Sequence, residues 1–179
     1  MRIVILNGSM EKAEGFNEKL ALFTNKLTDN KEIKEVMTYS IKDMTINQCI
    51  GCFGCWVKKP GKCVLKDDMD QILKSVINSD LVIFASPLLM GMTTSVLKKA
   101  TDRLIPLIHP YITLVDGECH HRKRYEQYPY IGVIYQADAE DEAEDIEGCH
   151  EIYKRLAINF HSHVKFFSPL DEIKVGDIL

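Results

Sequence analysis

Short apolar runs rich in β-branched residues alternate with stretches of helical spacing, and this alternation most narrows what the chain can fold into. Residues 2–6 (RIVIL), 81–85 (LVIFA), 130–135 (YIGVIY) and 163–167 (HVKFF) read as buried strands, and 33–38 (IKEVMT) as a weaker one. Phe16, Leu20, Phe23 and Leu27 fall at helical spacing. So do Met69, Ile72, Leu73, Val76 and Ile77, behind a cap at Asp67–Asp68. Residues 93–105 and 141–161 read as two further helices. Ser86–Pro87 reads as the end of the third strand, 106–129 as a long connection, and 168–179 as a tail without a clear element. Strands separated by helices build a parallel sheet covered on both faces. Five strands with right-handed crossovers give a doubly wound α/β sheet, in a Rossmann-like or a flavodoxin-like order. At 179 residues the expectation is a single domain, 1–179.

Asn7–Gly8 ends the first apolar run too early for a secretory segment, and no run approaches membrane-spanning length. The expected setting is cytoplasmic, with no membrane partner. A net charge of −4 gives no case for nucleic acid. In a reducing compartment the six cysteines read as metal ligands, catalytic thiols or core fillers before they read as disulfides.

Four of them, Cys49, Cys52, Cys55 and Cys63, are spaced C-x2-C-x2-C-x7-C. Crowded thiolates need a cation to hold them, which iron–sulfur clusters and zinc both supply. Gly51 and Gly54 favour a turn through the first three, and Pro60–Gly61 a second turn that returns Cys63. Three readings stand open: a [4Fe-4S] cluster, a closed zinc site, or reduced thiols lining a pocket. Cys119, His120 and His121 are adjacent in sequence, so their side chains diverge, and a solvated loop is expected there. Cys149 and His150 read as helix packing residues. The acidic run 138–147 suits a loop entering a helix N-terminus.

Ligands of doubly wound sheets sit at the carboxyl ends of the strands. The first such loop, residues 7–17, carries neither a dinucleotide fingerprint nor a P-loop. It offers a helix N-terminus, a hydroxyl, a lysine and an amide side chain, a set suited to one phosphate monoester. A plain strand-to-helix turn with a Ser/Asn cap is the other reading.

Gly8–Ser9, Gly15 to Leu20, Cys49 to Met69, Ser86–Pro87, Leu97–Lys98 and Asp102–Arg103 together resemble the NADPH-dependent FMN reductase family of flavodoxin-like proteins, over roughly residues 1–135. The cysteine segment with Asp67-Asp68-Met69 is similar to the iron–sulfur flavoprotein branch. The resemblance implies a five-stranded flavodoxin-like sheet in the order 2-1-3-4-5, non-covalent FMN, and NAD(P)H as electron donor. It places the FMN phosphate over Ser9, Lys12, Gly15, Phe16 and Asn17. It places the flavin ring beside Pro87, Leu88, Leu89, Met90 and Gly91, with Met92 near, and beside Gln136 and Ala137. Cys49, Cys52, Cys55 and Cys63 become the metal ligands. The chain departs from the family pattern in having Met10–Glu11 where an arginine is usual, Asn17 for threonine or serine, and Leu89 for tyrosine. The implied function is a flavin oxidoreductase or electron-transfer flavoprotein that passes electrons between FMN and a cluster, with a redox partner protein. A non-catalytic, zinc-stabilised binding module on the same fold is the alternative. Relatives share flavin sites across subunits, so a homodimer or tetramer is expected, with Phe53, Trp56, the 106–129 connection and the tail covering a neighbour. The tail lacks the usual helix after the fifth strand, which leaves a sheet face beside the first helix open to a partner.

Overall fold

The computed structural model describes residues 1–10 and 13–179. Strands β1 (Arg2–Asn7), β2 (Glu35–Ser40), β3 (Leu81–Leu89), β7 (Tyr130–Gln136) and β8 (Val164–Pro169) form the central parallel sheet. Their order is β2-β1-β3-β7-β8, the flavodoxin-like 2-1-3-4-5 arrangement. The short β4 (Met92–Thr93) folds back antiparallel on the end of β3. Helices α1 (Glu14–Thr28), α3 (Met69–Ile77), α4 (Ser95–Asp102) and α5 (Ala143–Asn159) flank the sheet, and the four-residue α2 (Gly54–Val57) lies in the cysteine segment.

The period of two along each strand sorts the core into two layers. Val4, Leu6, Val82, Phe84 and Val133 meet the apolar sides of α3, α4 and α5. Ile3, Ile5, Ile83 and Ala85 face the other way, onto Phe16, Leu20, Phe23 and Leu27 of α1. The face beside α1 is closed by the chain itself. Leu170, Ile173 and Ile178 from the tail are buried there, and a short 3-10 turn at Val175–Asp177 lets the tail double back. The expectation of an open face is therefore corrected: three apolar residues in an irregular segment do the work of a helix.

Two further expectations change. Ser86–Pro87 does not end the third strand, because both residues stay in register with Tyr135 and Gln136. β1 stops at Asn7, opposite Ala85, so from Ser86 onward β3 has one neighbour in the parallel sheet, a setting in which proline is tolerated. Within the 106–129 connection, β5 (Ile108–Val115) and β6 (Glu118–Lys123) form an antiparallel hairpin. The triplet Cys119-His120-His121 thus lies on a strand and not in a solvated loop. His120 is buried, with Nδ1 beside Asn159 Oδ1 and Nε2 beside Glu118 Oε2.

Candidate flavin edge and four-cysteine pocket

At the carboxyl end of the sheet, three loops leave β1, β3 and β7 side by side. The first loop is held by a cluster of polar side chains. Ser9 Oγ donates to Asn17 Oδ1 at 2.6 Å, and Asn7 Nδ2 donates to the same oxygen at 2.9 Å. The Ser9 amide donates to Asn7 Oδ1 at 3.0 Å. Ser9 and Asn17, eight positions apart in sequence, are thus brought together at the start of α1. Ser9 itself is fully buried. Gly15 is exposed in the first turn of α1, and a Cβ there would meet nothing within 4 Å among the described residues. Phe16 points into the core, so its contribution to any ligand is limited to its backbone. Lys12 lies outside the described residues.

Asn7 and Thr94 complete this turn, and the sequence reading did not single out either one. Thr94 caps α4 by accepting from the Leu97 amide at 3.2 Å, while its own hydroxyl donates to the Gly8 carbonyl at 2.5 Å. A side chain on Gly8 would place its Cβ 2.3 Å from Leu97 Cβ, so glycine is what lets α4 dock against this first loop.

The second loop is the two-residue turn Met90–Gly91 between β3 and β4, with both residues at positive φ. Leu88 is core, Leu89 is half-exposed, and Met90 is 89% exposed. The Gly91 amide donates to Asp141 Oδ1 at 2.5 Å, so this donor is already engaged by the third loop. Gln136 and Ala137 lead into that loop and are exposed. Pro87 lies in the strand opposite Gln136. The third loop bends on itself through the Asp138 amide, which donates to Asp141 Oδ2 at 2.7 Å. Leu88, Leu89 and Met90 line a cavity of about 320 Å³ together with Asp138, Glu140, Asp141, Glu142 and Asp145.

The cysteine segment forms a second site. Cys49, Cys52, Cys55 and Cys63 line one pocket whose walls include Phe53, Val64, Ile105 and Pro106. All four are free thiols: Cys49 and Cys52 are exposed, Cys55 is buried, and Cys63 lies between. Gly51 and Phe53 both take left-handed φ, at 64° and 52°, and so produce the turn from which α2 starts. Burial pushes the Cys55 thiol up, and Cys63, Cys49 and Cys52 add to the effect. Among the described residues, no three metal-type side chains stand at ligand spacing. The thiols share a pocket without being drawn together.

Two long-range ties fix this segment. Trp56 Nε1 donates to the carbonyls of Ile105 and Ile108, at 3.2 and 3.0 Å, and its ring stacks on Phe53. Asp67, just beyond Cys63, pairs with Arg103 at the end of α4, at 2.9 and 3.0 Å, with both side chains 1% exposed. Burial pushes the Asp67 carboxyl up, but its bonds from Arg103, Asn47 and Met69 outweigh this and hold it well below the usual carboxylate range. The sequence reading took Asp67 as a helix cap. Its carboxylate does accept from the Met69 amide at 3.2 Å, but its main partner is Arg103.

The family model for NADPH-dependent FMN reductase matches residues 1–123. The chain belongs to this family. Among curated relatives, an iron–sulfur flavoprotein of Methanocaldococcus jannaschii is 43% identical over 68 residues, 38% of this chain and 34% of that protein. One from Archaeoglobus fulgidus is 41% identical over 75 residues, 42% of this chain and 33% of that protein. These matches span about a third of the relatives' length. The fold is also that of an FMN-dependent NADH-azoreductase from Bacillus anthracis, solved in complex with FMN. The TM-score is 0.64 at 14% identity, over 100% of this chain and 92% of the other. RosB with bound 8-demethyl-8-formylriboflavin-5′-phosphate gives 0.63 at 16% identity, over 94% and 66%. Among the described residues, no helix is long and apolar enough to cross a membrane.

Proposed function

We propose that this chain is an FMN-binding, NAD(P)H-linked oxidoreductase that passes electrons between FMN and a [4Fe-4S] cluster held by Cys49, Cys52, Cys55 and Cys63. The observation that carries this reading is a family match over residues 1–123, covering both the first strand-to-helix loop and the four-thiol pocket. The donor set fits a cluster: four free thiols, apolar walls and one buried cation. When bound, the two cofactors supply the hydride and electron chemistry.

The chain's own residues bind, orient and exclude water. The N-terminal amides of α1, with Ser9 and Asn17, receive the phosphate, and the helix dipole favours its charge. Leu89 and Met90 offer an apolar surface to the ring beside the β3–β4 turn. The exposed Phe53 and Ile50, with Tyr111, Ile112 and Leu114 of the hairpin, give a second copy an apolar surface to cover, in keeping with a homodimer.

Gly15→Asp tests the phosphate position. A side chain at Gly15 meets nothing within 4 Å among the described residues, so the fold is retained while a carboxylate enters the proposed phosphate site. FMN affinity, read by flavin fluorescence quenching, should fall at least ~10-fold, equivalent to about 1.4 kcal/mol. Unchanged affinity overturns the placement. Anaerobic purification with absorbance, iron and zinc analysis tests the cofactors: flavin bands with iron and sulfide are expected. Colourless protein holding zinc, and remaining colourless with added FMN, points to a non-catalytic zinc-stabilised module. Sedimentation of the FMN-loaded protein should show a dimer or tetramer, and a lone monomer contradicts self-association.

A further inference from the structure

The Arg103 guanidinium has five N–H donors, three of which are engaged, and Nε is its one nitrogen with no acceptor among the described residues. Nη1 donates to the Asn47 carbonyl at 2.6 Å and to Asp67 Oδ2 at 2.9 Å, and Nη2 donates to Asp67 Oδ1 at 3.0 Å. Nε is buried and has no acceptor among the described residues. Arg103 is 1% exposed and lines the pocket of the four cysteines. A buried unsatisfied donor is costly, and it is retained where something else completes it. The Asp67 clamp also holds the guanidinium plane, since a bidentate pair fixes orientation as well as distance.

We propose that Arg103 is a positioning residue for the four-cysteine site, its Nε–H donating to a ligand sulfur when the metal group is bound. The inference rests on the reading of the cysteines as a cluster ligand set. A cluster held by four thiolates is anionic, and the potential of such a group depends on net charge, hydrogen bonds to sulfur and exposure. A fixed cation with a donor directed at sulfur stabilises the more negative, reduced form and so raises the potential. Burial pushes the Arg103 pKa down, but Asp67 first and then Cys63, which lines the same pocket, outweigh this and hold it up. Arginine stays charged at every accessible pH, so the effect does not switch off.

The test uses full-length protein reconstituted anaerobically with iron and sulfide. Iron and sulfide content, the midpoint potential from a mediated titration, and the electron paramagnetic resonance of the reduced cluster are measured for wild type, Arg103→Gln and Arg103→Lys. Arg103→Gln should lower the reduced-to-oxidised ratio at fixed potential at least ~10-fold, about 59 mV for a one-electron couple. Arg103→Lys keeps the charge and a partner for Asp67 but loses the planar donor. It should shift the potential less, with an altered resonance spectrum. Wild-type potential and spectrum in Arg103→Gln overturn the proposal. If that variant fails to fold, wild-type values in Arg103→Lys overturn it equally. Wild-type protein that takes up no iron overturns instead the reading of the cysteines themselves, and the two failures are told apart by that first analysis.

Discussion

Replacing Asp67 by asparagine converts a closed ion pair into a buried, unpaired cation. Both side chains are 1% exposed, and the carboxylate accepts from Arg103 at 2.9 and 3.0 Å. It also accepts from the Asn47 amide at 3.0 Å and the Met69 amide at 3.2 Å. Asparagine has nearly the same shape, so the loss is of charge and not of packing. Removing one partner of a buried pair costs about 3–5 kcal/mol. In a chain of this size that lowers the melting temperature by roughly 6–20 °C. The pH dependence has a definite sign. Asp67 titrates well below the ordinary range in the fold. Its stabilisation is therefore complete above the unfolded value of about 4 and is lost as pH falls from there through the folded pKa. Wild type should lose stability in acid more steeply than Asp67→Asn. Urea unfolding followed by far-ultraviolet circular dichroism, from pH 7 down to about pH 3, measures both effects. A cost below about 1 kcal/mol, with matching acid limbs, would refute the argument that this pair anchors the cysteine segment to α4.

Leu170→Ala should cost about 2–5 kcal/mol by opening a cavity over α1, again read by urea unfolding. Gly91→Ala should cost about 1–3 kcal/mol, because residue 91 holds φ 71° and an added Cβ would come 2.2 Å from Asp145 Cβ. In metal-free protein, iodoacetamide should modify the exposed Cys49, Cys52 and Cys119 well before Cys55 and Cys149, as read by peptide mass spectrometry. Burial pushes both slow thiols up, so raising the pH should narrow the difference only in alkaline solution.

The sheet was legible because its signal is local. Ile3 to Leu6 and Leu81 to Ala85 are fully buried, and continuous apolar runs are what such strands require. The hairpin at Ile108–Val115 and Glu118–Lys123 was not legible. Its outward positions include Tyr111, Ile112 and Leu114, so the apolar-in, polar-out alternation that marks a half-buried strand is absent. The spacing of the four cysteines suggested a common site; all four line one pocket, though no three stand at ligand spacing among the described residues. What spacing could not reveal was which distant residues hold the pocket. Asp67 meets Arg103 across 36 positions, and Trp56 reaches Ile105 and Ile108 across 49 and 52. Each partner is unremarkable in its own neighbourhood. The tail was misjudged for a related reason: Leu170, Ile173 and Ile178 are buried from a largely irregular segment, since burial asks only that apolar side chains arrive.

The chain contains one tryptophan, and it is Trp56. Its indole bridges the cysteine turn to the start of the hairpin, between Phe53 and His121. Intrinsic emission from this protein is therefore a local gauge that watches the four-cysteine pocket and is nearly blind to the sheet. A titration that changes the emission while leaving the far-ultraviolet dichroism intact records loosening of the thiol segment alone. The two signals together separate an event at the pocket from collapse of the fold, in unmodified protein and without an attached dye.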